Sequence, residues 1–354
     1  MKKKNKEVVI LIIILVILIL AAGGVLAYKY IKQKNEVNNE QEIPTEAQAE
    51  NEEELVVTQK PIQIFNGTDR PIAVMIDNHS GAWPQINLNQ AYMVYEIIVE
   101  GGETRLMALF KGKDLEQIGP VRSSRHYFLD YALENDAIYV HHGWSPQAQS
   151  DISKLGVDNI NGITESSKSF WRIKGKSAPH NLVTNTEKIL QIAERKGYET
   201  TSTQKSVLNY VPDEFDLTAE DAVVANSVTI PHSNLQKVKY EYNPETKTYT
   251  RYARGKLQKD NATGEAMTTK NIIITFCDNY TLTDSENKGR QGLKNIGTFD
   301  GYYITNGKAI PIKCTKSARN IQTVYKDLQG NEINVNDGNT FVNICPIDAD
   351  VVIE

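Results

Sequence analysis

The sequence predicts an α/β domain, a mixed sheet with helices, followed by a mainly-β domain, both behind a single N-terminal transmembrane helix. Three observations carry this. Residues 8–27 are an uncharged apolar run, just long enough to cross about 30 Å of hydrocarbon as a helix. Between residues 61 and 211 short apolar runs alternate with segments of helical periodicity, the pattern of one α/β unit. Beyond residue 235, strand-like runs are joined by Asn-Pro, Asn-Gly and Asp-Gly turns. At 354 residues the chain has room for two domains.

Lys2, Lys3, Lys4 and Lys6 precede the apolar run, which favours a cytoplasmic stub and an exported body, although Lys29, Lys32 and Lys34 follow it. Residues 1–32 are therefore expected to be stub and membrane anchor. The alternative is secretion after signal cleavage near Ala27. Either reading places the body outside the cytoplasm. Residues 33–60 are acidic and nearly free of aromatics, the composition of a solvated linker.

Within the body, residues 72–76 read as a buried strand ending in an Asp77-Asn78 turn, and residues 91–110 as two strands around Gly101-Gly102. A helix is expected after Ser123-Ser124, a strand over 137–143 and a helix over 146–156. Another helix follows at 184–198, where Thr184 and Glu187 have capping-box spacing and Gly197 provides the stop. Residues 212–235 form a boundary segment, and 236–354 the mainly-β domain, with hairpins at Asn243-Pro244, Asp300-Gly301, Asn306-Gly307 and Asp337-Gly338.

The balance of 39 Lys+Arg against 44 Asp+Glu, a net charge of −5, gives no electrostatic case for nucleic acid. Any anion site must be local. Arg125, placed in the first turn of a helix, and Arg122 beside it would make an anion cradle where the dipole already presents positive potential. The opposing reading is that protein carboxylates satisfy them, with Glu96 and Glu100 as the obvious partners. On one strand face those two stand roughly 13 Å apart, too far for a glycosidase pair, so salt bridges to Arg105, Arg122 or Arg125 are expected. His141 and His142 point to opposite faces of a strand, and Asp77, His79 and His180 match no metal spacing, so no metal and no cofactor is expected. His180 and Asn181 sit on a loop where they either line a cleft or bond the backbone. Ser145, in Gly-Trp-Ser, lacks the spacing of a nucleophile elbow. Cys277, Cys314 and Cys345 lie in apolar, strand-like contexts and read as buried free thiols, with one disulfide among them as the alternative.

The ordered series "RPIAVMIDNH", "YEIIVEGGETRLMALF", "IGPVRSSRHYFLDYA", "IYVHHGWSP", "APHNL" and "GYYITNGKAIPI" resembles the YerB-like family of bacterial envelope lipoproteins from about Arg70 to Pro346. The resemblance implies two consecutive domains, both of unknown function (number 3048), and an extracytoplasmic location. The chain lacks the membrane-proximal cysteine of a lipoprotein, which favours the transmembrane anchor. The resemblance singles out Glu96, Glu100, Arg105, Arg122, Arg125, His141, His180 and Asn181 as site residues. The leading functional expectation is a membrane-tethered protein that binds an anionic envelope ligand. The alternatives are an envelope hydrolase or transferase acting on a phosphorylated or carboxylated glycan, and a structural protein that binds a partner through the β domain.

Overall fold

The structure, a computed structural model, describes residues 60–283 and 286–354. The anticipated anchor at 8–27 and most of the acidic linker lie outside the described residues. Among the described residues no helix is long and apolar enough to cross a membrane.

The strands of the first segment are β1 (Ile72–Asp77), β2 (Met93–Ile98), β3 (Thr104–Phe110), β4 (Ile138–His141) and β5 (Asn159–Asn161). Its helices are α1 (Phe128–Glu134), α2 (Pro146–Leu155) and α3 (Thr186–Lys196). The second segment contributes β6 (Ser227–Pro231), β7 (Lys237–Asn243), β8 (Thr248–Ala253), β9 (Asn271–Cys277), β10 (Gly297–Thr305), β11 (Lys308–Lys316), β12 (Val324–Lys326) and β13 (Thr340–Pro346). With helices this few, the architecture is a mixed sheet and mainly β.

One 11-stranded sheet runs β12-β11-β10-β9-β13-β2-β3-β1-β4-β5, with the short strand Val223–Val224 added against β11. It takes strands from both segments. The junction is β13, parallel to β9 on one side and to β2 on the other, so that Val342 stands opposite both Ile273 and Tyr95. The two expected domains are thus joined through a common sheet, and the expected boundary carries β6. Strands β1, β2 and β3 are buried at every position, which accounts for their nearly continuous apolar runs. Alternate residues feed two cores. Met75, Tyr95, Met107 and Tyr303 meet Phe128, Leu129 and Ile152 of α1 and α2. Val74, Val94, Leu106 and Ile274 face the other way, toward Ile189 and Ile192 of α3 and toward Val228, Val238 and Tyr249. The last three belong to a second, six-stranded antiparallel sheet built on β6, β7 and β8.

Local details differ from expectation for identifiable reasons. Asn185 caps α3, accepting the Lys188 N–H at 2.8 Å, while the Thr184 hydroxyl donates to the Ser169 carbonyl. Ser145 caps α2, accepting the Ala148 N–H. Asn306-Gly307, with φ of 48° and 74°, makes the β10–β11 hairpin. Asp300-Gly301 lies inside β10 instead of forming a turn; a Cβ on Gly301 would sit 2.1 Å from the Ile274 carbonyl oxygen of β9. Asp337-Gly338 joins strands of different sheets, because Asn334–Asn336 pairs with Asn209–Val211 while β13 enters the main sheet. Cys277, Cys314 and Cys345 are buried and unlinked.

Candidate functional site

Strands β1, β4 and β5 are parallel, and their carboxyl ends open where β1 parts from β4. The segment before α1 fills that gap: Asp77 N–H donates to Pro120, Arg122 N–H to Met75, and His142 N–H to Arg122. Such a divergence at the carboxyl ends of parallel strands is where α/β folds place ligands. Arg122 and Ser123 are thereby held beside Asp77 and His142.

The expected helix start is absent here. Ser124 bridges to Trp144 and its hydroxyl accepts from Tyr139, so residues 122–124 are drawn into the sheet and α1 begins only at Phe128. Arg125 is outside the helix, which removes the dipole argument for an anion cradle there. What remains is a meeting of side chains. Arg125 donates from Nε and, at 3.0 Å, from Nη2 to the Glu100 carboxylate. Arg105 lies 3.8 Å from the same carboxylate and donates to the Ser123 carbonyl at 2.7 Å. Arg122 Nε lies 3.2 Å from the buried Asp77 carboxylate. Three guanidiniums therefore converge on two carboxylates. Burial, followed by the nearby Arg125 charge, pulls Arg105 down to about 10 despite Glu100, with Arg122 adding to the depression. Burial would raise Glu100, but the hydrogen bond and charge of Arg125 hold it below its ordinary value.

Glu96 goes elsewhere. Strand β2 ends at Ile98 and Glu100 opens a 3-10 turn, so the two glutamates do not share a strand face. Glu96 is fully buried and bonded to Arg251 of β8, to Thr104 at 2.7 Å and to Asn78 at 3.1 Å, with His232 4.0 Å away. Burial opposes its charge, yet Arg251 and His232 bring it below its ordinary value. Arg251 donates to Tyr240 and lies 5.1 Å from the centre of the Phe341 ring. This network belongs to the interior.

His141 is also internal: its ring nitrogens bond the Gly143 carbonyl and Asn159, and burial pulls it down to about 4. Asn181 bonds Ile173, Lys176 and Arg172, fixing its own loop. His180 is different. Its Nδ1 donates to Asp77 Oδ2 at 2.7 Å, and its ring stacks on His79 with centroids 4.3 Å apart. Lys176 adds charge near Asp77, where burial lowers its pKa and the Asp77 carboxylate raises it. The candidate site is thus Asp77, His79, Glu100, Arg105, Arg122, Arg125 and His180. Sequence reasoning weighed Asp77 and His79 only as metal ligands. Among the described residues no group of three or more His, Cys, Asp or Glu side chains is arranged to hold a metal.

A family model described as "Protein of unknown function (DUF3048) N-terminal domain" matches residues 58–199, and the corresponding C-terminal domain matches residues 228–342. The chain is 31% identical over 285 residues to "Putative lipoprotein YerB" of Bacillus subtilis (strain 168), covering 78% of this chain and 81% of that one. A crystal structure of the Bacillus subtilis YerB protein superposes with a TM-score of 0.71 at 30% identity, over 80% of this chain and 94% of that chain. With both domain models matched in order and a relative matched over most of its length in sequence and fold, the chain belongs to the DUF3048, YerB-like family.

Proposed function

We propose that the protein is a membrane-anchored extracytoplasmic binding protein for an anionic cell-envelope ligand, held at the carboxyl end of β1. The observation that carries this reading is the convergence of Arg105, Arg122 and Arg125 on only Asp77 and Glu100. The surplus guanidinium charge is partly buried and, among the described residues, matched by no further carboxylate, which suits a carboxylate or phosphate. Residues 8–27 supply the anchor, and the relative named as a lipoprotein supports attachment to a membrane. Calorimetric titration of the full-length protein with a polyuronate, inorganic polyphosphate and neutral dextran tests the reading. The polyanions should bind and dextran should not, with Arg122→Gln weakening binding at least tenfold. Equal heats from dextran, or wild-type affinity in R122Q, would reject it.

A further inference from the structure

The Asp77 carboxylate also organises two imidazoles. Its Oδ2 accepts from His180 Nδ1 at 2.7 Å and its Oδ1 accepts the His79 backbone N–H at 3.0 Å. His79 Nδ1 accepts the Gly81 N–H at 3.0 Å. These bonds assign opposite tautomers to the neutral rings. His180 carries its proton on Nδ1 and presents a lone pair at Nε2, whereas His79 carries its proton on Nε2 and presents a donor. The rings lie nearly parallel, 12° apart. Among the described residues neither Nε2 has a hydrogen-bond partner. Gly81 makes the stack possible, since a Cβ there would stand 3.0 Å from His180 Cδ2 and 3.2 Å from His79 Nδ1.

A base oriented by a carboxylate that a guanidinium also contacts, stacked on a hydrogen-bond donor, supplies the parts of a hydrolytic site. We infer that the protein hydrolyses acyl esters carried by its anionic ligand, with His180 as the catalytic general base and Asp77 as its positioning residue. This rests on the anion-site reading above. Water oxygen adds to the ester carbonyl carbon as its proton passes to His180 Nε2, and the carbonyl electron pair moves onto oxygen, stabilised by the His79 Nε2–H. Collapse re-forms the carbonyl, breaks the bond to the alkoxy oxygen and returns the proton from His180 to that oxygen. The products are a carboxylic acid and an alcohol, and His180 ends neutral.

The single base selects the reaction class. Addition at a trigonal carbon puts the entering and leaving oxygens on one centre within reach of the same imidazole. In-line displacement at phosphorus puts them on opposite sides, where one imidazole cannot serve both. His79 cannot be the acid on the far side while its Nδ1 accepts from Gly81. No Ser, Thr or Cys bonds either Nε2 among the described residues, so water is the nucleophile.

The test uses full-length wild type, His180→Ala, Asp77→Asn and Asp77→Glu on p-nitrophenyl acetate and on an O-acetylated polyuronate, with acetate release followed by NMR. H180A should lose about 100-fold or more in rate, the lower end for a general base. It should still bind the deacetylated polyuronate, and added imidazole should restore part of its rate. The wild-type rate should rise with pH along one ionisation that is absent in H180A, and D77E should recover more activity than D77N. Should H180A not fold, His180→Gln serves the same comparison. A rate in H180A or H180Q within twofold of wild type overturns the proposal. So does wild type that binds the polyuronate yet releases no acetate above buffer, a result that leaves the anion site standing. Acetate release without polyuronate binding overturns the assigned substrate class together with the anion reading.

Discussion

Replacing Arg251 with Met, which keeps the length and apolar stem of the side chain, tests how the two family-matched segments are joined. Arg251 on β8 and Glu96 on β2 are both fully buried and paired across the sheets. Met retains packing against the Phe341 and Tyr240 rings but strands the Glu96 carboxylate with only Thr104, Asn78 and His232. Breaking one side of a buried pair costs about 3–5 kcal/mol, a large share of a typical 5–15 kcal/mol. The pH dependence has a definite sign. In the wild type Glu96 is held below its unfolded value, so its stabilising contribution is present above pH 4.5 and is lost as pH falls through the folded value. In R251M burial without the cation raises the folded value, so the variant is penalised at neutral pH and relieved on acidification. Urea unfolding of full-length wild type and R251M at pH 7 and pH 4 should show the gap narrowing in acid. A gap below about 1 kcal/mol at pH 7, or one equal at both pH values, would refute the account of this pair.

Three further outcomes follow. Gly301→Ala forces a Cβ against the Ile274 carbonyl and should destabilise by about 1–3 kcal/mol or more in urea unfolding, and a midpoint equal to wild type would contradict that close approach. Asn185→Ala removes the α3 cap and should cost about 1 kcal/mol in the same measurement. His141 and His126 are both pulled down to about 4 by burial, so each contributes stability that is complete above the unfolded imidazole value near 6.5 and is lost as pH falls toward 4. Asp130, raised to about 6 by burial, acts in the opposite sense over that range. His141→Asn should therefore flatten the loss of urea midpoint between pH 6.5 and 4, and an unchanged slope would contradict the internal role of His141.

The strands and helices of residues 72–196 were legible because their apolar runs are local, whereas their N-caps were not: Asn185 took the place expected of Thr184. The joining of the two segments was not, because β13 pairs with β9 and β2 from regions far apart in the chain, and nothing in "TFVNICP" names its neighbours. Arg251 did leave a trace: in "TYTRYA" it alternates in phase with Tyr249 and Ala253, a charge on the inward face of a strand. Glu96, a lone carboxylate in an apolar run, was the matching sign. At the candidate site, residue types identified Arg122, Arg125 and His180 as notable, but their grouping required the tertiary path. The pairing of Asp77 with His180 spans 103 positions. The displaced start of α1 came from non-local pairing of Ser124 with Trp144, which overrode a local Ser-Ser capping signal.

The proposed anion site formed by the arginines at the end of β1 is tested most directly by ligand-linked stability. A ligand at 100 times its dissociation constant stabilises the folded state by about 2.7 kcal/mol. The urea midpoint of the full-length protein, measured with and without saturating polyuronate, should rise in the wild type and stay fixed in the Arg122→Gln, Arg125→Gln double variant. A wild-type midpoint indifferent to the polyanion, or an equal rise in the double variant, would contradict the account.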